Sequence, residues 1–152
     1  MNWILEKSNK LDFHTNLAKI LEPLKINFKN YKWVFNDIDF MSDDILPINL
    51  DDDYFILNDL ELNKILDVHT QFIWGIISAV PLDEEVILLS NDLPFIEGND
   101  SIWNNNIFQI INSEIEIIAF DSSYTIVKFK NKLLSDKFKM FFEEAIELEK
   151  FS

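Results

Sequence analysis

Hydrophobic positions along the chain follow two periods. From Asp12 onward, Leu17, Ile20, Leu21 and Leu24 recur at helical spacing, which predicts a first helix that Pro23 brings to an end. Residues 132–151 predict a long amphipathic helix, capped at Asn131 or Ser135, with Leu134, Phe138, Phe141, Phe142, Ala145 and Leu148 on its apolar side. Between them, residues 59–66 predict a short helix, capped by Asn58 or Asp59 and carrying Leu62, Ile65 and Leu66.

Strand patterns fill the intervals. Short strands are predicted over residues 3–7, 31–35, 54–57 and 86–89. Residues 71–80 are apolar on both faces, as a central strand requires. Residues 114–120 open in alternation and become a core run. They meet Asp121-Ser122-Ser123, a turn, and return over 124–130 with Lys128 and Lys130 on one face and Val127 and Phe129 on the other. The remaining stretches, 36–53 and 91–106, read as loop or edge structure and as a polar connection. The resulting class is a single α+β domain over residues 1–152, a mixed, mostly antiparallel sheet packed against about three helices, including the long C-terminal one. The strand at 71–80 and the strand at 114–120 are expected to be neighbours, with the C-terminal helix across them.

Composition supports a packed interior. Of 152 residues, 48% are hydrophobic, with 14 Phe, 4 Trp and 3 Tyr, and only 2 Gly and 4 Pro. The longest apolar stretch, 72–82, is far shorter than the roughly 20 residues that span a bilayer. The first residues carry no basic segment ahead of an apolar run, so no signal peptide is expected, and the location is read as cytoplasmic. With no Cys, disulfides and thiolate metal sites are excluded.

Charge changes the picture most. The net charge is −14, and every basic residue is Lys. Without guanidinium groups the bidentate recognition of phosphate is missing, and direct nucleic-acid binding is disfavoured. The acids are unevenly placed. Residues 41–100 hold fourteen acids against Lys64 alone, whereas 1–40 and 101–152 are nearly balanced.

Candidate chemistry is sparse. His14 and His69 are the only histidines. Each has an ordinary reading, at a helix start and before a strand. A site combining one of them with Ser122 or Ser123 and Asp121 lacks a nucleophile-elbow pattern. Asp43-Asp44 and Asp51-Asp52-Asp53 offer hard oxygens, but the sixth residue from Asp43 is Ile48 and from Asp51 is Ile56, where a calcium loop needs Gly. No enzyme, cofactor or metal is therefore expected. The acid excess has two readings, a solubility device or a face for a basic partner. Apolar residues that surface exposure would suit, Phe40, Met41, Tyr54, Phe95 and Trp103, interleave with the acids and favour the second. The expected partner-binding residues are Asp43, Asp44, Asp51, Asp52, Asp53, Tyr54, Glu97, Asp100 and Trp103.

Several stretches also look familiar together. They are Ile20-Leu21-Glu22-Pro23 closing a Leu-rich helix, Tyr31-Lys32-Trp33, the strand over 72–80 ending in Pro81, and the run over 114–120 meeting Asp121-Ser122-Ser123-Tyr124. Their order resembles a small bacterial family known only as a domain of unknown function. The stretch 41–58 departs from it by its acidity. More loosely, such small acidic chains look like immunity proteins of polymorphic-toxin and contact-dependent inhibition systems. That resemblance implies a protein that neutralises a cognate toxin, here a basic nuclease domain, while the high net charge favours a monomer. The alternative is an acidic nucleic-acid mimic or regulator with several basic partners.

Overall fold

The computed structural model describes residues 2–88 and 92–151. Among these residues, seven strands form one sheet in the order β3-β2-β4-β5-β6-β1-β7. They are β1 (Trp3–Leu5), β2 (Tyr31–Ser42), β3 (Tyr54–Leu57), β4 (Thr70–Pro81), β5 (Ile115–Phe120), β6 (Tyr124–Phe129) and β7 (Ile146–Glu147). Where a mixed sheet was expected, every pairing is antiparallel. The expected adjacency of the two central strands holds, with Gly75–Ala79 of β4 paired to Ile115–Ala119 of β5.

Three α-helices, α1 (Leu17–Leu21), α2 (Asp59–Leu66) and α3 (Lys132–Phe141), lie with the 3-10 stretch Glu22–Asn30 on one face of the sheet. Alternation along the strands sends Trp33, Phe35, Ile77, Ile117, Val127 and Phe129 into that layer, against Leu21, Leu24, Leu62, Phe138 and Phe142. Among the described residues, the opposite face carries no α-helix. Ile4, Ile76, Ile118 and Ile126 are covered there by Ile96 and Ile102 of the long 82–114 connection and by Leu148, while Val34 and Val80 meet Ile110. Between these two apolar clusters runs a polar row, Ser78, Glu116 and Lys128, in register across β4, β5 and β6 and fully buried.

Local chemistry accounts for the joints. Asn58 Oδ1 accepts from Glu61 N–H at 2.8 Å, and Glu61 Oε1 accepts from Asn58 N–H at 3.1 Å, so α2 opens on a complete capping box. Asp121 and Ser122 both take positive φ, 49° and 55°, and Ser123 N–H closes on Phe120 O at 2.9 Å. That geometry suits the right-handed twist of the β5–β6 hairpin.

Four further expectations are corrected. The first helix starts at Leu17 and not at Asp12, because Thr15 exchanges backbone hydrogen bonds with Phe72 and its hydroxyl meets that of Thr125 at 2.8 Å. The strand from Tyr31 does not stop at Phe35 but runs to Ser42, bending at a register shift around Asp37, whose φ is 51°. Residues 86–88 are not a strand, and Leu89 lies outside the described residues.

Fourth, the long C-terminal helix is short. It ends at Phe141, because Phe142 leaves helical space at φ −106°, ψ 79°. Glu143 and Glu144 then face the negative end of the helix dipole, and Lys139 Nζ donates to the carbonyls of Glu143 and Ala145. The chain turns back, and Ile146–Glu147 pairs with Trp3 and Ile4 as β7. Phe142, Ala145 and Leu148 are buried as their pattern requires, but by a turn and not by helical continuation. Helix α3 therefore packs mainly on β6 and the Glu22–Asn30 stretch instead of crossing the central strands.

Candidate partner-binding face

The β2–β3 connection, residues 43–53, carries five of the nine expected residues, and Tyr54 opens β3 directly after it. Leu46 is buried and Ile48 packs on the helical core, so the connection is tethered at its middle. On either side it turns outward. Asp44 Oδ1 accepts from Ile45 N–H at 2.7 Å, and Asn49 accepts from Asp51 N–H through its side chain and from Asp52 N–H through its carbonyl, both at 3.1 Å. These turns leave Asp43, Asp44, Asp51, Asp52 and Asp53 exposed. They also leave Ile45 and Leu50 exposed by 91% and 70%, and Met41 near the end of β2 is exposed by 65%, an arrangement that solubility alone does not require.

Among these aspartates, only Asp43 meets a basic side chain among the described residues, His69 Nδ1 at 2.9 Å. The His69 ring stands edge-on to Phe13 at 4.9 Å. Beside this pair opens a cavity of about 230 Å³ lined by Phe13, Met41, Asp43 and Gln71.

Glu97 follows a segment that the β2 bend holds on the helix-free face of the sheet. Asn36 Nδ2 donates to Pro94 O at 2.7 Å, and Asp37 Oδ2 accepts from Ile96 N–H at 2.9 Å. Partial burial raises the Asp37 carboxyl above its ordinary value, the Ile96 N–H holds it down, and the neighbouring Glu97 charge pushes it up. Asn36 is also the residue paired with Tyr54, so residues 94–97, the bend and the start of β3 adjoin.

Asp100 and Trp103 belong elsewhere. They sit on the 3-10 turn Asp100–Trp103, capped by Asn99 and anchored by buried Ile102. Trp103 is half-buried, 5.1 Å from the Phe120 ring and stacked on Phe151 at 6.2 Å. It works as packing over β5 and β6, and the structure does not bring it to the connection. Phe40 likewise packs on Phe72 at 5.9 Å. Asp37, Asp39, Ile45 and Leu50 were not among the residues expected at a partner-binding face. The alternation of Ile38 and Phe40 with Asp39 and Met41 was the signal for the first two.

A second polar constellation is wholly interior. Lys128 Nζ lies 3.4 Å from Glu116 Oε1 and donates to Ile107 O at 2.7 Å, while Gln109 N–H donates to Glu116 Oε2 at 2.5 Å. Burial raises the Glu116 carboxyl and lowers the Lys128 ammonium, each opposed by the other's charge. Asn2 adds Nδ2 to Asn105 O at 2.7 Å and accepts from Phe129 N–H at 2.8 Å. Together these bonds fasten residues 105–109 to the sheet. Tyr31 donates to Glu114 Oε2 at 2.9 Å, and burial raises its phenol well above the usual range.

Among the described residues, no three His, Asp or Glu side chains are grouped to hold a metal ion, and no helix is long and apolar enough to cross a membrane. No protein-family model, curated protein or solved structure matches the chain.

Proposed function

We propose that the protein is a binding protein that neutralises a basic partner through the β2–β3 connection, in the manner of an immunity protein against a cognate toxin, and that it acts without catalysis. The observation that carries this reading is the exposure of Met41, Ile45 and Leu50 among aspartates of which all but Asp43 meet no basic side chain among the described residues. Apolar anchors supply affinity once water is excluded, and a one-signed field around them speeds encounter with an oppositely charged surface. A nuclease toxin presents such a surface, because its active site must hold phosphate.

The test is protection. Cells are made to express the product of the neighbouring reading frame, with the protein or with a variant carrying Ile45→Ser and Leu50→Ser. The reading expects the wild type to restore growth and the variant, folded to the same degree, to fail. Equal protection by both would remove the connection from the interface. Comparable binding to several unrelated basic proteins would favour the mimic reading.

A further inference from the structure

Among the described residues, the distal half of β2 has one flank without a strand. β3 pairs only with Trp33–Asn36 and stops at Tyr54, whereas β2 continues six residues further, paired on its other side with β4 down to Ser42↔Thr70. Which backbone groups face the vacant flank follows from two sets of hydrogen bonds. Phe72 spends its N–H and C=O on Thr15, at 3.4 and 3.5 Å, on the side of β4 away from β2. Phe40↔Phe72 is therefore a wide pair, in which neither residue bonds the other. Asp43 N–H donates to His69 O at 3.0 Å, which makes the alternate positions, 41 and 43, the ones that turn to β4. The N–H and C=O of Phe40 and Ser42 consequently point outward. The 43–53 connection returns past this flank but, among the described residues, makes no backbone hydrogen bond to either residue.

We infer that this flank accepts an extended basic segment of the partner as an added strand, in line with β3 where β3 stops. The inference rests on the reading of the connection as a partner-binding face and specifies how that face is used. Backbone bonds from Phe40 and Ser42 would supply the pairing. Side chains supply the selectivity. Asp39 and Met41 alternate with Ile38 and Phe40, so a segment with Lys or Arg at every second position sets its cations opposite Asp39, near Asp43 and Asp44. The bend at Asp37 and the acids keep the flank from pairing with a second copy of the chain, since like charges would then meet.

The probe is an acetylated, amidated heptapeptide of alternating lysine and valine, with a second version N-methylated at every residue. The second keeps every charge and has no backbone N–H to donate along either edge. Backbone hydrogen exchange of the full-length protein is followed with each. The amides of Phe40 and Ser42 are expected to exchange freely in the unbound protein and to slow by roughly tenfold or more with the first peptide only, while Met41 stays protected throughout. Ser42→Pro should keep the fold, because the lost N–H is bonded to no strand, and should abolish the peptide's effect. Protection of Phe40 and Ser42 in the free protein would overturn the inference. Equal binding of both peptides without added protection would also overturn it, yet leave the acidic face standing. No binding of either would overturn both.

Discussion

The ammonium of Lys128 and the carboxylate of Glu116 face each other across β6 and β5 at 3.4 Å, and neither side chain reaches solvent. Two charges taken out of water this way recover their hydration only through each other and through Ile107 O and Gln109 N–H. Removing one partner therefore costs more than removing both. Lys128→Met is expected to lower unfolding free energy by about 3–5 kcal/mol, and the pair Glu116→Leu with Lys128→Met by clearly less. Urea denaturation of the single and double variants checks this. A single-variant loss no larger than the double's would mean that the pair is not coupled.

Asp37 gives a pH dependence of defined sign. Its carboxyl is raised in the folded chain, chiefly by burial, so the folded state favours the protonated form. The stabilisation from that preference is complete at pH below the ordinary carboxylate value and is lost as pH climbs through the raised one. Asp37→Asn keeps an oxygen for Ile96 N–H and suits the positive φ of 51°. The variant should be more stable than wild type at pH 7, with the gain fading toward pH 3. A gain that grew on acidification would reverse the assignment.

Trp103 stands in the Phe120, Tyr124 and Phe151 ring cluster and apart from the 43–53 connection. Trp103→Ala should therefore cost stability, about 2–3 kcal/mol for a half-buried ring against ~3–5 for a full one, and leave the affinity of the folded protein unchanged. Thermal or chemical denaturation, set beside a binding titration of the same variant, separates the two effects.

Local pattern made much of this fold legible, and long-range pairing hid the rest. The residues 54–57 strand, the Asn58 cap and the Asp121–Ser123 turn were readable because each depends on its own few residues. The turn even sets the register that places Glu116 opposite Lys128, but a lysine alternating with apolar residues reads as a solvent face until the 105–109 segment is known to cover it. The spacing of Leu134, Phe138, Phe142 and Ala145 fits a helix and fits a helix followed by a buried turn equally well. What decided it was the pairing of Ile146–Glu147 with β1, well over a hundred residues away in sequence. At the candidate face, the charge asymmetry located the connection. The turns that expose Ile45 and Leu50 depend on the tether at Leu46, which no periodicity reveals.

The histidines should be dispensable for function. His69 pairs with Asp43 at the surface, and His14 contributes its backbone carbonyl to Gln71 Nε2. The double variant His14→Ala, His69→Ala should protect cells as the wild type does, provided that circular dichroism shows it folded. Loss of protection with the fold intact would reopen a catalytic reading.

The central claim is that the aspartates of the β2–β3 connection steer a basic partner, and association kinetics test it most directly. The protein and its Asp51→Asn, Asp52→Asn, Asp53→Asn variant are captured on a surface and met by the purified product of the neighbouring reading frame at two salt concentrations. The Debye length falls from ~30 Å at 0.01 M to ~8 Å at 0.15 M, so the wild-type on-rate should drop steeply between them. The triple variant should associate more slowly at low salt and lose most of that dependence, with its off-rate and stability little changed. An on-rate indifferent to salt, together with a triple variant that binds like wild type, would contradict the account and leave the aspartates as a solubility device.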